Sequence, residues 1–173
     1  MPIPLVNLRK QYAPLKDEIL NGIAHVFEGM QLFLGENIQA LEKEFSQFCG
    51  ANYGIGVSDG TAALQIILRA MDIGPGDEVI TISHTFIATA EAIILAGAKP
   101  VFVDIDPDTY LMDVTQVEDK ITPHTKAIMP VHLYGQMAEM DMLLKLASKY
   151  HLRIIEDACQ AHGAEYHSHR AGS

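Results

Sequence analysis

The sequence predicts an α/β fold, a mostly parallel sheet with flanking helices, on three observations. Short apolar runs, "EVITI", "KPVFV", "KAIMPV" and "LRIIE", recur along the chain and read as buried strands. Helix-like segments lie between several of them, at residues 61–71, 86–95 and 138–150. Polar residues with chemical capacity follow the strands directly, where an open α/β sheet places its ligand. Strand and helix in alternation is the pattern of parallel strands joined by helical crossovers.

Before the sheet, residues 1–50 read as a helical segment. Leu15, Ile19, Ile23, Val26 and Phe27 fall on one helical face, and so do Ile38, Leu41, Phe45 and Phe48. Gly50 is placed to end the second helix as its C-terminal cap. Residues 51–173 then form the sheet region. It opens with "YGIGV", residues 53–57, predicted as a first strand and followed by Ser58-Asp59-Gly60-Thr61 at the start of a helix. Further along, His84 to Phe86 follow "EVITI", Asp104 and Asp106 follow "KPVFV", His132 to Tyr134 follow "KAIMPV", and Asp157 follows "LRIIE". These groups are expected to converge on one rim. The last stretch, "HGAEYHSHRAGS", becomes polar and reads as a solvated turn.

Composition narrows the partners. The 173 residues are 49% hydrophobic, enough for one domain with a real core. A net charge of −10 and a pI near 5.1 argue against nucleic acid or an anionic membrane as partner. Cys49 and Cys159 are the only cysteines, which suits a reducing cytosol. The start lacks the apolar region of a signal peptide, and no apolar run reaches membrane-spanning length. A cytoplasmic protein is expected.

Glycines 54, 56 and 60 resemble a loosened dinucleotide fingerprint, but the context fails. That fingerprint needs a full apolar strand before the first glycine and an acid at the end of the next strand. Here "QFCGANY" precedes, and Asp77 and Glu78 come before "VITI". A phosphate cup fits better: Gly60 permits close backbone approach, Thr61 offers an N–H and a hydroxyl, and the helix start presents free N–H groups. The plainer alternative is that Ser58 or Asp59 simply caps the helix.

"IIEDACQAHG" adds a second anchor. Asp157 ends an apolar strand, where an unpaired carboxylate is costly and something cationic should meet it. A protonated pyridine nitrogen would serve, as pyridoxal phosphate requires; a lysine or arginine ion pair, or a cap, are the alternatives. Gln160 could bond that cofactor's phenolic oxygen. Phe86 could lie against a flat ring, although alone it reads as core. Cys159 reads as a small buried residue. His162, His167 and His169 match no tetrahedral metal spacing, and no metal is expected.

Taken in order, "VSDGTAAL", "GDEVITISHTFIATAEAIILAGAKPVFVDID", "MPVHLYGQ" and "IIEDACQAHGA" resemble the DegT/DnrJ/StrS family of sugar aminotransferases. The resemblance implies the large domain of a fold-type I pyridoxal phosphate enzyme, a homodimer, moving an amino group from glutamate to a keto-sugar carried on a nucleotide diphosphate for amino-sugar or polysaccharide biosynthesis. It implies that Gly60 and Thr61 hold the cofactor phosphate, Phe86 stacks on the ring, Asp157 pairs with the ring nitrogen and Gln160 approaches the phenolic oxygen. Asp59 stands where relatives more often carry a neutral Asn or Ser. The family's Schiff-base lysine lies in a block downstream of residue 173, as does its small C-terminal domain. The chain alone is therefore expected to lack the catalytic group. A non-catalytic remnant, or a dehydratase of the same family, are the alternatives.

Overall fold

A computed structural model describes Pro4 and residues 6–173. Three helices lead: α1 (Leu8–Tyr12), α2 (Lys16–Glu28) and α3 (Glu36–Cys49). Asn7 caps α1 by accepting from the Lys10 N–H, and Gly50 ends α3 in the left-handed conformation at φ 80°, as predicted. The apolar stripes of α2 and α3 are real but stay exposed among the described residues, with Ile23, Phe27 and Leu41 each about half open to solvent.

The sheet is built from β1 (Glu78–Ile82), β2 (Lys99–Val103), β3 (Thr125–Ile128) and β4 (Arg153–Ile154). All its pairings are parallel, in the order β2-β1-β3-β4. Successive side chains on a strand point to opposite faces, so β1 feeds two cores. Ile80 and Ile82 pack with Val103, Ile128, Leu143 and Leu146 on the face covered by α6 (Met140–Tyr150). Val79 packs with Leu64, Leu68, Ile93 and Met129 on the face covered by α4 (Gly60–Ala70) and α5 (Ala88–Leu95). Each fully buried Leu or Ile stabilises by about 1.5–3 kcal/mol, so both faces contribute. Burial of both faces explains why β1 reads as a continuous apolar run, whereas β2 leaves Phe102 exposed.

Three expectations are corrected. Residues 53–57 are not a strand: among the described residues nothing pairs with them, and Tyr53 and Ile55 are 87% and 81% exposed. The alternating pattern supplies strand propensity, but a strand also needs a hydrogen-bonded neighbour. "LRIIE" forms a ladder only at Arg153–Ile154. Pro130 on the neighbouring strand has no N–H to continue it, and pairing resumes as the single bridge Val131–Asp157. The tail is not a solvated turn but an antiparallel ribbon, β5 (Glu165–Tyr166) with β6 (His169–Arg170). Its turn residues His167 and Ser168 both take positive φ, the geometry that matches the twist of a two-residue hairpin. The Arg170 guanidinium lies over the Phe48 ring at 4.6 Å and donates to the Phe48 carbonyl, pinning the ribbon to α3.

His132, expected on the ligand rim, is instead fully buried. Its Nδ1 accepts from the Ala138 N–H at 3.1 Å, so the proton sits on Nε2 and is donated to Glu156 at 2.7 Å. Glu156 also accepts from the Gly172 N–H at 3.0 Å, so one carboxylate ties the end of β3, the approach to α6 and the tail. Burial opposes its ionisation, but the His132 ring and the Gly172 N–H outweigh burial and hold the carboxyl below its ordinary value. A carboxyl lowered on folding contributes stability above its unfolded pKa and loses it as pH falls through the folded value.

The glycines that imitate a fingerprint have local causes. A Cβ on Gly54 would sit 2.5 Å from the Glu42 carbonyl oxygen, and the Gly56 N–H donates to the Glu42 carboxylate at 2.8 Å. Gly54→Ala should therefore destabilise by about 1–3 kcal/mol in denaturant titration, because the backbone of α3 cannot yield. Gly56→Ala would meet side chains alone, the Ile38 methyl at 3.1 Å and the Glu42 carboxylate at 3.4 Å, and should cost less. Acid titration should show stability falling below about pH 4.3, with Glu156→Gln less stable at neutral pH and shallower in its acid decline.

Candidate active site

At the carboxyl ends of β1 and β4 lies a cavity of about 280 Å³. Its walls include all of the residues singled out from the sequence as cofactor ligands: Gly60, Thr61, Phe86, Asp157 and Gln160. Asp104 and Asp106 do not join them. Asp106 closes its own turn, accepting from the N–H groups of Asp108 and Thr109, which hold its carboxyl below the ordinary value.

At the helix start the capping reading is realised. Asp59 Oδ1 accepts from the Ala62 N–H at 2.9 Å and Oδ2 from the Ser58 hydroxyl at 3.0 Å. Those bonds, the Ala62 one foremost, keep Asp59 below the usual carboxylate value. Its charge is thus turned into the cap. Among the described residues the Gly60 N–H and the Thr61 hydroxyl have no hydrogen-bond partner, and both border the cavity. A Cβ on Gly60 would lie 2.6 Å from Cys159 Sγ, so the helix start and the loop after β4 touch where only glycine fits.

Cys159 is exposed on the cavity wall, not buried as its residue type suggested. Desolvation of its thiol and the nearby Asp157 carboxylate push it up to about 11, so it stays protonated at neutral pH. Phe86 is likewise not core: it is 69% exposed, two residues ahead of α5. A large aromatic face held open at a cavity mouth is available to a flat ligand.

Asp157 is 7% exposed. No lysine, arginine or histidine among the described residues forms an ion pair with it. The ion-pair alternative drawn from sequence is therefore not realised. Its Oδ2 accepts from the Thr89 hydroxyl at 2.7 Å, and Thr89 in turn meets the Thr85 hydroxyl at 2.9 Å. Sequence reasoning missed Thr89, whose only signal was a hydroxyl inside the otherwise apolar "ATAEAIIL" helix. Gln160 Oε1 accepts from the Tyr134 N–H at 3.0 Å, which leaves its Nε2 donors for the cavity. His162, His167 and His169 lie away from this cavity, and among the described residues no three ligating side chains gather as a metal group.

The cavity is thus an aromatic slot with a carboxylate at one end, an amide donor at its side and, at the other end, a backbone N–H and a hydroxyl without partners among the described residues. Gly60→Ala should destabilise the protein by about 1–3 kcal/mol through contact with Sγ, and Cys159→Ala in the same chain should recover most of that loss in a double-mutant cycle.

Comparison with known proteins places the chain in a family. The family model for DegT/DnrJ/EryC1/StrS aminotransferases matches residues 14–173. A UDP-N-acetyl-3-dehydro-alpha-D-glucosamine 3-aminotransferase of Acidithiobacillus ferrooxidans is 50% identical over 99% of this chain and 46% of its own length. A UDP-2-acetamido-2-deoxy-3-oxo-D-glucuronate aminotransferase of Pseudomonas aeruginosa is 49% identical over 98% of this chain and 47% of its own. Among solved structures, S. venezuelae DesV superposes with a TM-score of 0.96 at 44% identity, over 99% of this chain and 46% of that one. Bacillus subtilis NtdA with bound cofactor PMP gives 0.85 at 39% identity, over 90% of this chain and 36% of that one. The chain spans about half the length of the curated relatives it matches. With its parallel sheet and flanking helices, it belongs to the DegT/DnrJ/EryC1/StrS aminotransferase family.

Proposed function

We propose that residues 1–173 form the cofactor floor of a pyridoxal phosphate-dependent aminotransferase acting on a nucleotide-linked keto-sugar in amino-sugar biosynthesis, with glutamate as amino donor. The observation that carries this reading is the buried Asp157 carboxylate, which faces the cavity without a cationic partner among the described residues. A protonated pyridine nitrogen supplies that charge, and the carboxylate in return keeps the nitrogen protonated. Bound in this way, the cofactor supplies an electron sink for bond breaking next to its amine.

The chain's own residues do the holding. The Gly60 N–H and the Thr61 hydroxyl receive the phosphate at the positive end of α4. Phe86 covers one ring face and excludes water from it. Gln160, its carbonyl committed to Tyr134, donates from Nε2 to the phenolic oxygen. Asp157 holds the proton at the ring nitrogen. None of the chain's lysines lines the cavity, so these residues hold the cofactor without supplying the amine that carries protons to and from substrate. We place the assembled protein in the cytoplasm as a homodimer, a reading supported by two free cysteines and by the family's architecture. No helix among the described residues is long and apolar enough to cross a membrane.

The decisive experiment is intact mass of the gene's full product after pyridoxal phosphate and borohydride. One cofactor adduct on a chain well above 19.0 kDa is expected. Cofactor binding without an adduct would shift the reading to a dehydratase of this family, and absence of binding would overturn it. Asp157→Asn should weaken binding of pyridoxamine 5′-phosphate about tenfold to a hundredfold by fluorescence titration, the worth of one charge-assisted hydrogen bond.

A further inference from the structure

We infer that Thr89 is a positioning residue for Asp157, the middle of a directed hydroxyl chain running Thr85 to Thr89 to Asp157. The inference rests on the cofactor reading above and adds how the carboxylate is aimed. Thr89 is fully buried on α5 and its hydroxyl lies 2.7 Å from Asp157 Oδ2. An ionised carboxylate only accepts, so Thr89 must spend its single proton on Oδ2. The 2.9 Å contact between the two threonine hydroxyls then has one direction: Thr85 donates and Thr89 accepts. Distance alone leaves the donor in that pair open; the carboxylate decides it.

Two consequences follow from the direction. First, Oδ2 is occupied from within the protein. The remaining oxygen, Oδ1, has a long 3.4 Å contact from the Cys159 N–H, and the weakly donating Cys159 thiol also approaches the carboxylate. Oδ1 is therefore the edge left for a ligand N–H, and the rigid α5 backbone fixes where that edge points. Second, Thr85 lines the cavity with its proton already turned inward, so it presents lone pairs to the ligand. It accepts from donors and does not assist in holding a phosphate. A helical threonine can instead bond back to the preceding turn, but here the proton has been drawn to the carboxylate.

The test uses the gene's full product and pyridoxamine 5′-phosphate labelled with ¹⁵N in the ring, a probe that needs no lysine. Thr89→Val keeps the shape of the side chain and removes the proton. It should bind the probe about tenfold more weakly, roughly what loss of one charge-assisted hydrogen bond produces. The ring nitrogen resonance should move toward its unprotonated position. Thr89→Ser should restore both readings to within about twofold, since the hydroxyl returns while a methyl is lost. Thr85→Val, one link further out, should show the same changes at smaller amplitude. Wild-type affinity and nitrogen shift in Thr89→Val would overturn the inference while leaving the cofactor site intact. Equal losses in the Val and Ser variants would overturn it in favour of simple packing. Failure of the wild-type protein to bind the probe would overturn the cofactor reading, and this inference with it.

Discussion

A carboxylate cannot be left bare at the end of an apolar strand, and the neighbourhood of Asp157 is arranged around that constraint. The strand must run straight through the core for the residue to emerge at the cavity, and the paired backbones of Pro130, His132 and Asp157 fix that exit. Thr89 occupies one oxygen from the buried side. Nothing cationic among the described residues pairs with that charge, so the fold leaves a buried carboxylate open to a cationic ligand. Binding there stabilises the fold as well as serving chemistry, because the ligand binds the native state alone.

The second constraint is close approach. Gly54 meets the backbone of α3 and Gly60 meets Cys159, each at a distance no side chain allows. These contacts seat the loop before α4 and bring the helix start against the segment that follows Asp157. The helix-start donors and the Asp157 carboxylate come from residues nearly a hundred positions apart, yet their spacing is set by this contact. The glycine pattern that looked like a nucleotide fingerprint is a record of backbone packing.

Local signals in the sequence therefore translated well, and relational ones less so. Periodicity identified α4, β1, β2 and α6 because each is decided mainly by its own apolar pattern and the core beneath it. Asp157 stood out because its chemistry contradicts its apolar setting. The run 53–57 misled, since alternation says that a strand is possible and not that a partner lies beside it. Pro130 shortened β4 from across the sheet, and the ribbon at 165–170 depends on Arg170 reaching Phe48. His132 was read as a rim residue because its position after a strand was visible, whereas the Glu156 and Ala138 groups that bury it were not. Thr89 was hidden for the same reason: a helical threonine shows no sign of the carboxylate it serves until the helix is docked.

The charge distribution around the cavity differs from end to end. The cavity borders include the carboxylates of Asp59 and Asp157 but no lysine or arginine of this chain. Asp59 would repel a phosphate, yet its two oxygens are committed to Ser58 and Ala62, and its charge is spread into the cap. What remains at the helix start is a set of neutral N–H and O–H donors backed by the helix dipole, which favours an anion without a full positive charge. At the opposite end of the slot the sign reverses, and Asp157 selects a cation. A ligand that is anionic at one end, cationic at the other and flat between satisfies all three conditions at once. A simple phosphate, or an uncharged aromatic ring, satisfies only one.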